Sequence, residues 1–145
     1  MDRLYVGFKG KGNSSNKIVN SIIGEKLFLT NSFDGLKRDI ENISKSYDSI
    51  YMFGLDKSLK GTIRIESAAT RNNTTLYSAL NLNTFVKILN SNGINASIGN
   101  NPRKSLCNEA FWYMLQKYNN KAVFFHIPSI SYMNEDFIKR MKSIL

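Results

Sequence analysis

Apolar and polar positions follow two rhythms along this chain, and the rhythms take turns. Five short runs are mostly apolar: Leu4-Tyr5-Val6-Gly7-Phe8, Lys26-Leu27-Phe28-Leu29-Thr30, Ser49-Ile50-Tyr51-Met52-Phe53-Gly54, Ile94-Asn95-Ala96-Ser97-Ile98 and Ala122-Val123-Phe124-Phe125-His126-Ile127. Runs of this length bounded by turn formers predict strands. The Ser49–Gly54 run is nearly unbroken, as in a central strand covered on both faces. Thr62-Ile63-Arg64-Ile65-Glu66-Ser67-Ala68 instead alternates, which predicts a strand with Thr62, Arg64 and Glu66 on a wet face.

Between the runs, apolar residues recur at helical spacing: Ile18, Val19, Ile22 and Ile23; Leu36, Ile40, Ile43 and Tyr47; Leu82, Phe85, Val86 and Leu89; Ala110, Phe111, Met114, Leu115 and Tyr118; Phe137, Met141, Ile144 and Leu145. Asn13 or Ser14 suits the start of the first helix and Ser32 that of the second, while Gly93 suits the end of the third. Arg71-Asn72-Asn73-Thr74-Thr75 predicts a turn or loop, and Pro128 ends the last strand. Strands alternating with helices indicate an α/β fold, with helices on both faces of one sheet. The expected architecture is a three-layer α/β/α sandwich with a mixed, mainly parallel central sheet, residues 1–145 forming one domain. In such sheets ligands bind beyond the carboxyl ends of strands, where the loop before Cys107 and the end of the His126 strand both fall.

Composition narrows the classes. An apolar fraction of 42% and a charged fraction of 21% are those of a folded globular protein. A single cysteine rules out an internal disulfide framework and suits a reducing compartment. One cysteine and one histidine leave too few ligands for an ordinary zinc site, so no metal is expected. The opening residues read as a strand rather than a signal peptide, and no apolar run approaches membrane-spanning length. A soluble, cytoplasmic protein with no membrane partner is expected. The net charge of +9 invites a nucleic-acid reading. The lysines are scattered, however, and no nucleic-acid module is recognisable, so no specific nucleic-acid partner is expected. Gly10-Lys11-Gly12-Asn13-Ser14-Ser15 has neither the Rossmann nor the Walker spacing and reads as a strand-to-helix turn.

The chemistry-bearing candidates are the two singletons. Cys107 lies at a helix start, after the loop Gly99-Asn100-Asn101-Pro102-Arg103-Lys104, where free amides and the helix dipole favour a thiolate. His126 sits at a strand end, and together they could be nucleophile and base. A lone cysteine is also a common small core residue, and a lone histidine a common structural one.

The run from Ser78 to Pro128 resembles pyroglutamyl peptidase I, or pyrrolidone-carboxylate peptidase, a family of cysteine peptidases. Ser78-Ala79-Leu80-Asn81 is similar to the family's Ser-Thr-Leu-Pro helix start. Asn92-Gly93-Ile94-Asn95-Ala96-Ser97 resembles its Ala-Gly-Ile-Pro-Ala-Ser entry to a strand. Lys104-Ser105-Leu106-Cys107-Asn108 resembles the Thr-Tyr/Phe-Val-Cys-Asn nucleophile segment, and Phe124-Phe125-His126-Ile127-Pro128 the Phe-Ile-His-Ile-Pro segment. Earlier, Ile63-Arg64-Ile65-Glu66 resembles the Ile-x-x-Glu that carries the third catalytic residue. The resemblance implies Cys107 as nucleophile, His126 as base and Glu66 as the group that orients the imidazole. It implies removal of an N-terminal pyroglutamyl, or similar small capping residue, from peptides through a thioester acyl-enzyme. No cofactor is implied; the implied partner is a peptide substrate, and a homo-oligomer is allowed for only because family members often associate.

The chain departs from the family around the substrate pocket. It is shorter, chiefly between Glu66 and Cys107, and there is no clear counterpart to place Arg71 beside. Gly7-Phe8-Lys9-Gly10-Lys11-Gly12 lacks the second phenylalanine of the family's opening, which leaves Phe8 as the expected ring-stacking surface. Leu55-Asp56-Lys57 replaces Gln-Ala-Gly, and Ser105 replaces an aromatic residue. Phe8, Leu55, Ser105 and Leu106 are thus the expected substrate contacts. The alternative is a non-catalytic homologue that binds a peptide terminus in the same crevice.

Overall fold

Each helix begins where a short polar side chain replaces a missing helical acceptor. In the computed structural model, which describes residues 1–145, five helices run α1 (Ser14–Asn20), α2 (Phe33–Glu41), α3 (Leu82–Ser91), α4 (Leu106–Lys117) and α5 (Glu135–Met141). Asn13, Ser32, Asn81, Ser105 and Asn134 cap them, each side chain accepting from an amide of the first turn. Eight strands run β1 (Arg3–Phe8), β2 (Glu25–Leu29), β3 (Ser49–Leu55), β4 (Ile63–Glu66), β5 (Ala68–Arg71), β6 (Thr74–Tyr77), β7 (Ala96–Gly99) and β8 (Ala122–Ile127).

Six strands form the central sheet in the order β2-β1-β3-β8-β4-β7. Every neighbouring pair is parallel except β4 and β8. This is the mixed, mainly parallel sheet expected. Alternation along the strands sends side chains to two cores. Leu4, Val6, Phe8, Ile50, Met52 and Phe124 face α2 and α4. Tyr5, Tyr51, Phe53, Ile63, Ile65, Val123, Phe125 and Ile127 face α1, α3 and α5. The helices therefore cover both faces, giving the three-layer sandwich. Gly54, Arg64, Glu66 and His126 continue the first set, so the period of two turns them toward α4.

Four details differ from the sequence reading. Helix α1 ends at Asn20, so Ile22 is buried but Ile23 is fully exposed. Helix α2 ends at Glu41, and Ile43 and Tyr47 pack against the core from the segment beyond it. Leu145 stays at the surface. The stretch read as a loop is a hairpin, β5–β6, turned by Asn72 and Asn73 at φ 49° and 61°. Positive φ at both turn residues matches the twist of the flanking strands, and asparagine tolerates it better than most residues.

Candidate active site

Ser105 opens α4 in extended conformation, and its Oγ accepts from the Asn108 amide at 3.1 Å. This cap makes Leu106 and Cys107 the first two helical residues, whose amides have no carbonyl one turn back to donate to. Asn108 then ties the helix to the hairpin: its Oδ1 accepts from Thr70 N at 2.9 Å and its Nδ2 donates to Thr70 O at 2.7 Å. Trp112 Nε1 donates to Thr74 O at 3.2 Å. Arg71 pairs with Glu109 at 3.2 Å and lies over the Trp112 and Tyr113 rings. Arg71 thus clamps hairpin to helix and does not line the cavity described next.

That cavity, of about 810 Å³, is lined by Leu55, Asp56, Arg64, Glu66, Ser105, Cys107, Phe111, Phe124 and His126 among others. Gly54 is what lets the cysteine in. A Cβ there would lie 2.5 Å from Phe124 Cζ and 2.7 Å from Cys107 Sγ. Gly54 is paired across the sheet with His126, so the glycine seats the thiol beside the histidine strand. Gly54→Ala is expected to push Sγ off its seat. Overpacking of this kind costs about 1–3 kcal/mol. Any attack that starts from Sγ is expected to slow at least about tenfold, since small displacements of a reacting atom are costly. Thermal unfolding and steady-state kinetics together check this.

His126 Nδ1 lies 2.6 Å from Glu66 Oε2. A carboxylate only accepts, so Nδ1 carries the hydrogen and Nε2 is left as the free base. The imidazole also packs on Phe124, with ring centroids 4.8 Å apart. Glu66 Oε2 takes a second bond, from Arg64 Nε at 2.8 Å. Arg64 Nη2 donates to Asp56 Oδ2 at 2.8 Å and comes within 3.3 Å of His126 Nδ1. Asp56 is itself fixed by Ser58, whose amide and hydroxyl donate to Oδ1 at 2.9 and 2.6 Å.

The charges follow from these contacts. Burial raises the Glu66 carboxyl, but the bonds from His126 and Arg64 outweigh it and hold the group below its ordinary value. Burial opposes ionisation of Asp56 too, yet Ser58 and Arg64 hold it at about 2. Cys107 goes the other way. Burial pushes its thiol up to about 12, with the negative charges of Asp56 and Glu66 adding to the effect. The thiolate expected at the helix start is therefore not the resting form: desolvation and two carboxylates oppose it. No hydrogen bond joins Sγ to His126, although both line the cavity.

The other expected contacts divide evenly. Leu55 and Ser105 line the cavity. Phe8 does not: it is 2% exposed, buried in the core on the α2 side of the sheet. Leu106 also turns away, half-buried against the same core. The aromatic floor comes instead from Phe111 and Phe124. Asp56 was missed because it lies in a polar connection, and Arg64 was legible only as a neighbour of Glu66 on one strand face. The crevice also differs from a simple carboxyl-end site. Antiparallel β4 places Arg64 directly opposite His126, so the site spreads over one face of the sheet. No cluster of three or more His, Cys, Asp or Glu side chains is placed to hold a metal, and no helix is long and apolar enough to cross a membrane.

No protein-family model matches this sequence, and no curated protein matches it. Solved structures do. Pyrrolidone carboxyl peptidase from Thermus thermophilus superposes with a TM-score of 0.83 at 13% identity, over 98% of this chain and 96% of that one. A mutant of the Pyrococcus furiosus enzyme gives 0.79 at 21% identity, over 99% and 95%. The Thermococcus litoralis enzyme gives 0.77 at 21% identity, over 99% and 91%. The superpositions run nearly end to end, and the chain has the fold of the pyrrolidone carboxyl peptidases.

Proposed function

We propose that this chain is a divergent pyrrolidone carboxyl peptidase. It would act as a cysteine peptidase that removes an N-terminal pyroglutamyl, or similarly small and neutral, cap from peptides. The observation that carries this reading is one cavity lined by Cys107 and by a His126–Glu66 pair with a 2.6 Å Nδ1–Oε2 bond. Because the resting thiol is protonated, attack and proton transfer go together. Sγ adds to the cap's carbonyl carbon as its proton passes to His126 Nε2. Glu66 stabilises the resulting imidazolium through Nδ1–H. The Cys107 amide, on the first turn of α4, is the donor for the carbonyl oxygen as it takes on negative charge. Collapse breaks the C–N bond, the amine leaves with the proton from His126, and a thioester to Cys107 remains. Water, deprotonated by His126, hydrolyses the thioester and restores the thiol.

The cap's neutrality follows from charge. Both carboxylates in the cavity are already engaged, Glu66 by His126 and Arg64, Asp56 by Ser58 and Arg64. Neither is free to receive an ammonium group. Lys57, Arg103 and Lys104 form an exposed cationic rim with no salt-bridge partner. A lactam suits this site better than a free α-amine. Pyroglutamyl and glutaminyl anilides, compared by kcat/KM, are expected to differ by at least about tenfold in favour of the lactam, since a buried polar mismatch is strongly discriminated. Equal rates, or a preference for the free amine, would refute the neutral-cap assignment. A reducing, cytoplasmic setting fits a free thiol in this role.

A second reading, peptide-terminus binding without chemistry, is favoured by the protonated thiol and its missing bond to His126. The two readings part on turnover: saturable binding of a pyroglutamyl peptide with no hydrolysis supports the second.

A further inference from the structure

The imidazole is surrounded by more charge than a triad needs. His126 faces Glu66 and Arg64 from β4, Asp56 from the β3–β4 connection and Cys107 from α4, with Lys57, Arg103 and Lys104 on the rim of the same cavity. Arg64 occupies a special place among these. It is the cross-strand partner of His126, directly opposite it in register, and its Nη2 is 3.3 Å from Nδ1. Both nitrogens are donors in the assigned tautomer, so this contact sets a cation beside the ring without a hydrogen bond. An unopposed guanidinium there would disfavour an imidazolium and weaken the base.

Two features offset that. Arg64 Nε donates to Glu66 Oε2 at 2.8 Å, the same oxygen that receives His126 Nδ1–H. Asp56 Oδ2 binds Nη2 at 2.8 Å, while Ser58 fixes Oδ1. Glu66 reaches the imidazole on the diagonal, since its own register partner is Phe124. The guanidinium steadies a carboxylate that must lean along the strand. Its other oxygen, Oε1, lies where a side chain at Gly99 would be, so the glycine of β7 leaves room for that lean. The formal charges of Glu66, Arg64 and Asp56 sum to one negative charge beside the imidazole, as for a lone carboxylate.

We propose that Arg64 and Asp56 are positioning residues for the triad: Arg64 holds Glu66 against His126, and Asp56 cancels the charge that Arg64 brings to the imidazole. The proposal rests on the Cys107–His126–Glu66 assignment, but its test does not need turnover. His126 is the only histidine, so its imidazole resonances are unambiguous in an NMR titration. Asp56→Asn preserves shape and leaves Glu66 alone to offset the guanidinium, so the negative charge beside the imidazole is cancelled. Its imidazole midpoint is expected to fall by about one pH unit relative to wild type. Arg64→Gln removes the cation and leaves two carboxylates, so the midpoint is expected to rise by a similar amount. Merely structural damage would not move the two variants in opposite directions. Where peptidase activity is measurable, Asp56→Asn is also expected to shift the acid limb of the kcat/KM profile downward and lower kcat about tenfold, with KM nearly unchanged. Midpoints equal to wild type in folded Asp56→Asn, or shifts of the same sign in both variants, would overturn the proposal. Opposite shifts without hydrolysis would leave it standing and contradict only the peptidase reading.

Discussion

Cys107→Ala is expected to abolish hydrolysis of a pyroglutamyl amide, a loss on the order of 10⁴-fold or more, while the protein stays folded. The thiol is the only one in the chain, and the two serine hydroxyls that line the cavity are held elsewhere, Ser58 Oγ donating to Asp56 and Ser105 Oγ accepting from the Asn108 amide. No second nucleophile can therefore take over through the same base. The fold should hold because Sγ lines an open cavity, so removing it creates no sealed void. The seat over Gly54 simply gains room. Circular dichroism and thermal unfolding establish that the variant is folded, and a progress curve against wild type reads the loss.

Glu66→Gln is expected to cost about 10²–10⁴-fold in kcat with little change in KM. The amide has one acceptor where the carboxylate has two, and Oε2 now serves both Arg64 Nε and His126 Nδ1. If the amide oxygen faces them, the imidazolium loses its compensating charge. If the nitrogen does, it meets two donors and turns the imidazole to the wrong tautomer. The same substitution changes the response to acid. Glu66 and Asp56 both sit below their ordinary values when folded. Each contributes stability that is present above its unfolded value of about 4 and is lost as pH falls through the folded one. Wild-type stability is therefore expected to drop progressively from about pH 5 toward about pH 2, and that of Glu66→Gln less steeply. Urea unfolding at several pH values reads the difference.

The layers of this fold were legible because hydrophobic periodicity is a local property of the sequence. Ser49–Gly54 read as a central strand and lies between β1 and β8. Ser32 and Gly93 marked helix ends where the caps and the positive φ are found. The hairpin was hidden because its strands are short and its second strand is largely exposed, so Thr74-Thr75-Leu76-Tyr77 carries little alternation. Strand direction was hidden for a different reason: nothing in Ile63–Glu66 says that it will run against β8.

The candidate residues divide along the same line. Cys107, His126 and Glu66 could be picked out through motif resemblance, and they line one cavity. The state of the thiol could not be read that way. A helix start argues for a thiolate, but burial against Gly54 and the approach of Asp56 and Glu66 are long-range facts. Phe8 failed as a pocket wall because it is buried in the core between the sheet and α2 and α4, whose apolar residues lie well down the chain. Arg64 and Asp56 were visible as ordinary charged residues. Only the register of β4 against β8 makes them neighbours of the imidazole.

An acid-quenched reaction with an activated pyroglutamyl ester, read by intact and peptide mass spectrometry beside Cys107→Ala, tests directly whether Cys107 forms the acyl-enzyme. One pyroglutamyl group on the peptide that carries Cys107, released with time as free pyroglutamate and absent from the variant, is the predicted result. Specific turnover that persists in Cys107→Ala, or an acyl group that never resides on Cys107 during turnover, would contradict it.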